Sequence, residues 1–170
     1  MAKIRNDRGF RFIKELGGAI RRSTVSFGAG WLVKGGYVKG RVLDFGCGYG
    51  FEADHFGWEA FDPYYRQRHL EGKYDTIICN HVLNMLTRGS REQSIRTIQG
   101  LLAPHGAAFL IVPRNIPVTG KVALRKRIQN YVVWTLPSLY QDKKLEIYRM
   151  ECKTQFEDVT NEIERRLDRT

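Results

Sequence analysis

The stretch Val42-Leu-Asp-Phe-Gly-Cys-Gly-Tyr-Gly50 decides the fold of this 170-residue chain. Its first four residues form a short, mostly apolar run that suits a buried strand, and a G-x-G-x-G turn follows at once. Glycines let the backbone reverse sharply and bring its N–H groups close to a ligand, where any Cβ would collide with that ligand. We therefore expect a buried strand that ends at a ligand-binding turn.

Three more apolar runs indicate that this strand belongs to a larger sheet. They are residues 58–62, 75–80 and 107–112. Continuous apolar runs suit parallel strands, which are covered on both faces. Between the last two runs, Ser90 as N-cap and Gln93 as its capping-box partner predict an amphipathic helix that ends at residues 104–106. Strand, helix and strand in this order predict an α/β fold with a compact, Rossmann-like, doubly wound and mostly parallel sheet.

The flanking segments are expected to complete a single domain over residues 1–170. Its predicted parts are a helical cover over residues 1–40, a ligand-binding core over 41–114 and a C-terminal part over 115–170. Apolar spacing in the C-terminal part predicts an amphipathic helix, then a late edge strand and a closing helix. These three elements are predicted at residues 118–134, 145–150 and 156–167.

Two acidic residues indicate which ligand the turn binds. The third glycine of the dinucleotide fingerprint G-x-G-x-x-G would fall at Phe51, so that pattern fails. Asp44 would repel a pyrophosphate but suits the ammonium and sulfonium groups of S-adenosylmethionine (SAM). Asp62 ends the next strand, where its carboxylate can accept the hydroxyl hydrogens of a ribose. We predict SAM as the cofactor, and the alternatives are a dinucleotide or a turn that serves only the chain reversal.

The stretch 42–50 resembles the first motif of the class I SAM-dependent methyltransferases. Asp62 falls where their ribose-binding acid does, while 75–86 and 106–113 are similar to their fourth and fifth strands. The resemblance covers roughly residues 23–114 and implies a Rossmann-like fold and methyl transfer from SAM. The predicted cofactor contacts are Asp44, Gly46, Cys47, Gly48, Gly50, Asp62, Pro63, Tyr64, Asn80 and Val82.

A narrower resemblance concerns three short stretches. Leu43-Asp-Phe-Gly-Cys-Gly48, Asp62-Pro-Tyr-Tyr65 and Val82-Leu-Asn84 together resemble a group of methyltransferases associated with DNA phosphorothioation. This likeness implies a nucleic-acid setting and leaves the substrate open.

The chain departs from the usual family pattern after Asp62. Only 11 residues, 63–73, separate it from Tyr74, too few for a helix, a third strand and a second helix. We predict that the third strand is missing or vestigial. The adenine side of the site would then consist of Pro63, Tyr64 and Tyr65, whose alternative role is to pack as surface aromatics on a shortened edge.

His81 is the predicted general base. It follows a central strand at the edge where the ligand crevice of such a sheet lies, and an unperturbed histidine titrates near neutral pH. Its alternative role is to pack beside the cofactor, and Asn80 and Val82 are expected to contact the cofactor through backbone atoms. The segment 80–84 lacks the D/N-P-P-Y/F motif of amino-methyltransferases of DNA bases, which disfavours that route.

Charge suggests a partner. The chain has a net charge of +10, and residues 1–41 carry ten Lys and Arg against two Asp and Glu. Nucleic acid contacts are predicted through this basic N-terminal segment and through Lys121 to Arg127, with Arg114 and Asn115 facing the crevice. One alternative is that the basic surface is only solvated. Another is that the flanking segments form a lid over the pocket of a small-molecule enzyme, and a third is that the chain is a non-catalytic SAM-binding subunit.

Cysteine and histidine spacing argues against a metal site, because the three cysteines and four histidines are scattered singly. No apolar run is long enough for a membrane span, and no signal peptide precedes the domain, so a cytoplasmic location is expected.

Overall fold

A computed structural model describes residues 3–5, 11–13, 19–118, 121–123 and 127–156. The helices are α1 (Phe27–Lys34), α2 (Phe51–Phe56) and α3 (Arg88–Leu101), with a 3-10 turn at Leu83–Met85. The strands are β1 (Lys3–Arg5), β2 (Arg11–Ile13), β3 (Val42–Phe45), β4 (Glu59–Phe61), β5 (Tyr74–Asn80), β6 (Leu102–Pro113), β7 (Lys121–Ala123), β8 (Arg127–Gln129), β9 (Ser138–Gln141) and β10 (Leu145–Glu151).

One six-stranded sheet forms the centre of the fold. Its order is β4-β3-β5-β6-β10-β9, and the first four of these strands run parallel to one another. β10 runs antiparallel to β6, and β9 runs antiparallel to β10. The prediction of a mostly parallel, Rossmann-like sheet is confirmed. Because parallel strands end at the same edge, the residues after β3, β4, β5 and β6 meet along one side of the sheet.

The third strand is absent, as the sequence predicts. Residues 62–73, all of them described, contribute no strand to the six-stranded sheet, and their one β-type pairing is an isolated bridge between Asp62 and Arg66. The sheet therefore ends at β4. The late strand is also present, but β9 pairs on its outer side, so β10 is an internal strand and the predicted edge position is wrong.

Apolar side chains cover both faces of the sheet. On one face α3 buries Ile95, Ile98 and Leu101 in a cluster that includes Leu110. On the other face Leu32 of α1 belongs to a second cluster with strand residues of β5, β6 and β10. Helices on both faces of a parallel sheet are the doubly wound arrangement. Within the described residues, no helix is long and apolar enough to span a bilayer.

The boundaries of α3 differ from those expected. Thr87, and not Ser90, is the N-cap, because its backbone is extended and its hydroxyl accepts the N–H of Ser90 at 3.4 Å. The helix ends at Leu101 and β6 begins at the next residue, so Pro104 lies inside a strand. The sequence correctly predicted a helix in this segment. The cap at Thr87 sets its first residue, and the strand that begins after Leu101 sets its last.

The predicted helix over residues 118–134 is wrong. β7 and β8 form an antiparallel hairpin in which Val122 pairs with Ile128. These β-branched residues fit a pleated strand as well as they fit one face of a helix, so the pattern was compatible with a helix and with a pair of strands.

The helical cover is only partly right. α1 is present, whereas β1 and β2 pair as strands and residues 19–22 adopt no regular structure. The closing helix predicted at 156–167 lies, after Phe156, outside the described residues.

Candidate active site

The glycine turn is built into the crevice between β3, β4 and β5. The backbone N–H groups of Gly46 and Cys47 both donate to the carbonyl oxygen of Phe61, at 2.7 and 3.1 Å. Gly46 has φ +78°, and a Cβ on it would lie 2.5 Å from Cγ2 of Val82. The turn is thus left-handed and tightly packed, and a side chain at Gly46 would meet the segment that follows β5.

Asp62 is a fixed carboxylate at the end of β4. Its Oδ2 accepts the backbone N–H of Gly48 at 3.0 Å, and its Oδ1 accepts those of Tyr64 and Tyr65 at 2.8 and 3.0 Å. A carboxylate has about four acceptor positions, so these contacts take three of them. One acceptor position at Oδ2 therefore remains open to a further donor, and the contact of Asp62 with a ribose stays a prediction.

Asp44 is the most buried acid of the site, with 3% of its surface exposed. Its pKa is raised to about 8, first by burial and then by the charges of Glu52 and Asp62, while Arg22 lowers it. Burial disfavours an ionised carboxylate unless a cation compensates it. The Asp44 carboxyl is therefore mostly protonated at pH 7 in the unliganded chain, and a bound cation would stabilise its ionised form.

Three polar side chains from separate elements meet at the end of β5. Glu52 of α2 accepts the backbone N–H of Ser26 at 2.8 Å and the amide of Asn80 at 3.1 Å. Asn80 also donates to the hydroxyl of Ser26 at 2.8 Å, and its Oδ1 is buried without a hydrogen-bond partner in the described part of the chain. We name this group the Ser26–Glu52–Asn80 cluster. Sequence reasoning missed Glu52 and Ser26, because a single acid in a first helical turn normally indicates only a favourable helix dipole.

His81 directly follows β5 in a strained backbone conformation. Its φ is +56°, the one positive value at a non-glycine residue in the described chain, and its N–H donates to the carbonyl of Ile111 at 2.9 Å. Burial and the nearby charge of Arg22 lower the pKa of the imidazole to about 4. The ring is therefore neutral at pH 7 and able to accept a hydrogen bond or a proton, although as a weak base.

The segment before α1 lies on the glycine turn. A Cβ on Gly48 would be 2.7 Å from the Cβ of Ala19, and the guanidinium of Arg21 stacks 4.6 Å from the ring centre of Tyr49. Tyr49 in turn contacts Tyr65, with ring centres 4.6 Å apart. Residues of this N-terminal segment thus pack on the glycine turn, without regular secondary structure.

A second segment is anchored beside the end of β5. The backbone N–H of Asn130 donates to the carbonyl of Asn84 at 2.7 Å, and its side-chain amide donates to the carbonyls of Asn84 and Leu86, both at 3.1 Å. These contacts hold the chain after β8 against the loop that follows His81. Two flanking segments therefore meet the same edge of the sheet.

Arg114 does not face the crevice as a free cation, which corrects the sequence expectation. Its side chain is 4% exposed and forms an ion pair with Glu146, with Nε 2.7 Å from Oε2. It also donates to the hydroxyl of Tyr148 at 2.7 Å and lies 4.7 Å from the ring centre of Tyr131. Since these neighbours occupy the guanidinium, Arg114 supports the fold beside the crevice.

The remaining predicted contacts lie around the same turn. Gly50 has φ +83° and is the N-cap of α2. Tyr64 is placed by its N–H bond to Asp62, and the carbonyl of Pro63 accepts the amide of Gln67 at 2.6 Å. Burial raises the pKa of the Cys47 thiol to about 12, so this thiol stays protonated. Among the described residues, no His, Cys, Asp or Glu group can hold a metal ion.

A family model described as a methyltransferase domain matches residues 10–151. The chain belongs to this family, and its resemblance to the class I SAM-dependent methyltransferases is confirmed. The likeness to methyltransferases associated with DNA phosphorothioation stays a prediction. No curated protein sequence matches the chain.

Solved structures share the fold. DhpI in complex with SAM and HEP has a TM-score of 0.53 and 16% identity, over 71% of this chain and 82% of that chain. DhpI in complex with SAH, the demethylated product of SAM, has a TM-score of 0.52 and 15% identity, over 71% and 80%. The 1,6-didemethyltoxoflavin-N1-methyltransferase of Burkholderia thailandensis has a TM-score of 0.49 and 14% identity, over 71% and 74%. The fold likeness rests on the two DhpI structures.

Proposed function

We propose that this methyltransferase uses SAM and transfers the methyl group to a small molecule enclosed at the carboxyl edge of the sheet. The observation that carries the choice of cofactor is the set of buried carboxylates around the glycine turn. Asp44, Glu52 and Asp62 are 3, 5 and 8% exposed. Such a set favours a cationic ligand and disfavours the pyrophosphate of a dinucleotide.

The residues present fit SAM. The left-handed glycines keep the backbone of the turn free of side chains, and the Asp44 carboxyl beside it can ionise when a cation binds. Asp62 keeps one acceptor position for a ribose hydroxyl, and Oδ1 of Asn80 offers a buried acceptor. Pro63 and Tyr64 border the adenine side where a third strand is missing. SAM carries a sulfonium, an ammonium and a ribose, each of which these groups can complement.

SAM supplies an activated methyl group, so the task of the chain is to align an acceptor and exclude water. The segment at residues 19–22 covers the glycine turn and limits access of water from that side. His81 is neutral at pH 7 and stands at the end of β5, where its imidazole can take a proton from an acceptor. We assign His81 this role of general base.

Enclosure favours a small acceptor. Residues 19–22 and residues 129–131 flank the edge from two sides, one on the glycine turn and the other on Asn84 and Leu86. An edge covered in this way suits a ligand that is surrounded better than a long polymer that must lie across it. The DhpI complex, which shares the fold, holds SAM together with a second ligand, HEP.

Charge distribution favours a second candidate, a nucleic acid acceptor. Residues 115–150 carry seven Lys and Arg against two Asp and Glu, in addition to the basic N-terminal segment. Lys121 and Arg127 lie on the paired strands β7 and β8. A polyanion bound there would lose affinity steeply as salt rises.

Two measurements test the proposal. Calorimetric titration with SAM and SAH is expected to show binding, while NAD and FAD are expected to show none, and the reverse result would refute the choice of cofactor. Incubation with methyl-labelled SAM and a fractionated cell extract is then expected to label the low-molecular-weight fraction. Label in the RNA or DNA fraction, with salt-dependent gel shifts, would favour the nucleic acid acceptor.

A further inference from the structure

Glu52 is a buried carboxylate, and in the described part of the chain the two groups that donate hydrogen bonds to it carry no positive charge. It is the second residue of α2, directly after the glycine turn, and 5% of its surface is exposed. Its Oε1 accepts the backbone N–H of Ser26 and its Oε2 accepts the amide of Asn80, at 2.8 and 3.1 Å. Both donors are neutral. Burying a carboxylate beside neutral donors costs stability, which points to a role for the charge itself.

The hydrogen bonds to Glu52 and Ser26 fix the orientation of the Asn80 amide. Nδ2 of Asn80 donates to Oε2 of Glu52 and to the hydroxyl of Ser26. A carboxylate only accepts hydrogen bonds, so the reverse amide orientation would place two oxygens against each other. Oδ1 is thereby turned away from Glu52, and it is buried with no partner in the described part of the chain. A buried acceptor without a donor costs about 1–3 kcal/mol, so this position is suited to a ligand that donates.

We propose that Glu52 is a positioning residue that holds Oδ1 of Asn80 as the hydrogen-bond acceptor for the α-ammonium group of the cofactor. This inference rests on the proposed function, because it assumes that SAM binds in the crevice. A cationic donor fits better than a neutral one, since it satisfies Oδ1, offsets the charge of Glu52 and favours ionisation of the Asp44 carboxyl. The two acids act on each other: burial contributes most to the raised pKa of Asp44, and the charge of Glu52 contributes next.

Two ligands that differ in the ammonium group test the assignment. SAH carries the α-ammonium, whereas 5′-methylthioadenosine keeps the adenosine and thioether but lacks the amino-acid part. In Glu52→Gln, an NH2 group replaces one carboxylate oxygen and faces either the N–H of Ser26 or Nδ2 of Asn80. An NH2 group cannot accept a hydrogen bond from either donor, so the Asn80 amide loses its fixed orientation. We expect the affinity for SAH to fall at least tenfold and the affinity for 5′-methylthioadenosine to change less than threefold, measured by calorimetry.

An exchange of the two side chains provides the rescue. In the double variant Glu52→Gln and Asn80→Asp, the new glutamine donates to the new aspartate, which again offers an acceptor and restores the lost charge. We expect this pair to bind SAH within threefold of the wild type, whereas Asn80→Ala alone loses at least tenfold. Glu71→Gln is the matched control, because it removes one carboxylate at a side chain that is 78% exposed. Circular dichroism and thermal midpoints show that each variant is folded.

The outcomes separate this inference from the proposed function. If the wild type binds neither SAM nor SAH, the proposed function fails and the inference fails with it. If the wild type binds SAH but Glu52→Gln and Asn80→Ala bind it equally well, only the inference fails. An equal loss of both ligands would also overturn it, since the cluster would then be merely structural. Should Glu52→Gln not fold, Asn80→Ala and the exchanged pair still decide between these results.

Discussion

The carboxylate of Asp62 accepts the backbone N–H of Gly48 at 3.0 Å, and this hydrogen bond joins the end of β4 to the turn that follows β3. The same carboxylate orders the next turn through the N–H groups of Tyr64 and Tyr65. One side chain therefore shapes two walls of the crevice, and under the proposed function it also accepts a hydrogen bond from the cofactor. Its loss has to affect ligand binding by both routes.

Asp62→Ala is expected to weaken SAM binding at least tenfold, or about 1.4 kcal/mol. The variant removes a charged acceptor and releases the N–H of Gly48. Calorimetric titration with SAM measures the effect, and Asp62→Asn, which keeps the size of the side chain, separates lost charge from lost packing. An unchanged affinity in Asp62→Ala would remove this residue from the cofactor site.

Gly46→Ala is expected to reduce SAM affinity more than tenfold, because its Cβ would lie 2.5 Å from Val82 at a left-handed φ. Gly36→Ala is the control, since Gly36 also has positive φ, +70°, but no atom within 4 Å of a Cβ. The control isolates backbone strain, about 1–2 kcal/mol of stability, from the clash at the turn. Thermal midpoints and SAM titrations of both variants make the comparison. Equal SAM affinities would contradict the close packing described at Gly46.

His81→Ala is expected to lower methyl transfer at least tenfold while SAM affinity changes less than threefold. Because the pKa of His81 is lowered to about 4, the transfer rate of the wild type at saturating SAM should be level from pH 6 to pH 8 and fall only as the pH approaches 4. Transfer of label from SAM into the accepting extract fraction measures both effects. A rate that halves near pH 6.5, or full turnover in the variant, would exclude His81 as the base.

Asp44→Asn is expected to lose SAM binding and yet to stabilise the protein at high pH without cofactor. The carboxyl has a pKa of about 8 in the folded chain against an ordinary value of 3.8, so between these values the folded state binds more protons than the unfolded state. The free energy of unfolding of the wild type therefore falls as pH rises through this window, and the amide variant lacks that loss.

At pH 8.5 we expect the thermal midpoint of Asp44→Asn to exceed that of the wild type by about 2–4 °C for each kcal/mol regained. At pH 4 the two midpoints should differ least. Scanning calorimetry at both pH values gives the comparison. A variant that is less stable than the wild type at pH 8.5 would indicate that a cation of the chain already compensates Asp44.

The pair of Arg114 and Glu146 is expected to respond very differently to single and double substitution. Arg114→Met leaves Glu146 buried without its cation and should cost about 3–5 kcal/mol of unfolding free energy. The double variant Arg114→Met and Glu146→Gln removes both charges and should recover at least half of that loss. Urea denaturation of the two variants tests this, and equal losses would show that the ion pair has no coupling.

The central strands were predictable from sequence because burial on both faces leaves continuous apolar runs. Val42–Phe45 and Tyr74–Asn80 are in this class, and the short interval after Asp62 correctly predicted the missing third strand. The hairpin at Lys121–Ala123 and Arg127–Gln129 was not predictable in the same way. Its β-branched residues fit either period, and the pairing that decides between them is not a local property.

The turn residues of the site were also predictable, whereas the Ser26–Glu52–Asn80 cluster was not. Gly46 and Asp62 each follow a predicted strand of one parallel sheet, so the sequence implies that they lie at the same edge. Glu52 lies 26 residues from Ser26 and 28 from Asn80, and no spacing rule connects them. Arg114 shows the opposite error: its place at the end of β6 was right, but its burial against Glu146 required the antiparallel β10.

Because the third strand is absent, β4 is the edge strand on this side of the sheet. Glu59–Phe61 is three residues long, and Glu59 carries ion pairs with Arg41 and Arg68 on this side. A short border studded with charges is a poor template for strands of other molecules. The charges at β4 therefore protect this edge from pairing with strands of other molecules. Neutralising Glu59 is expected to increase aggregation while leaving the proposed cofactor site unchanged.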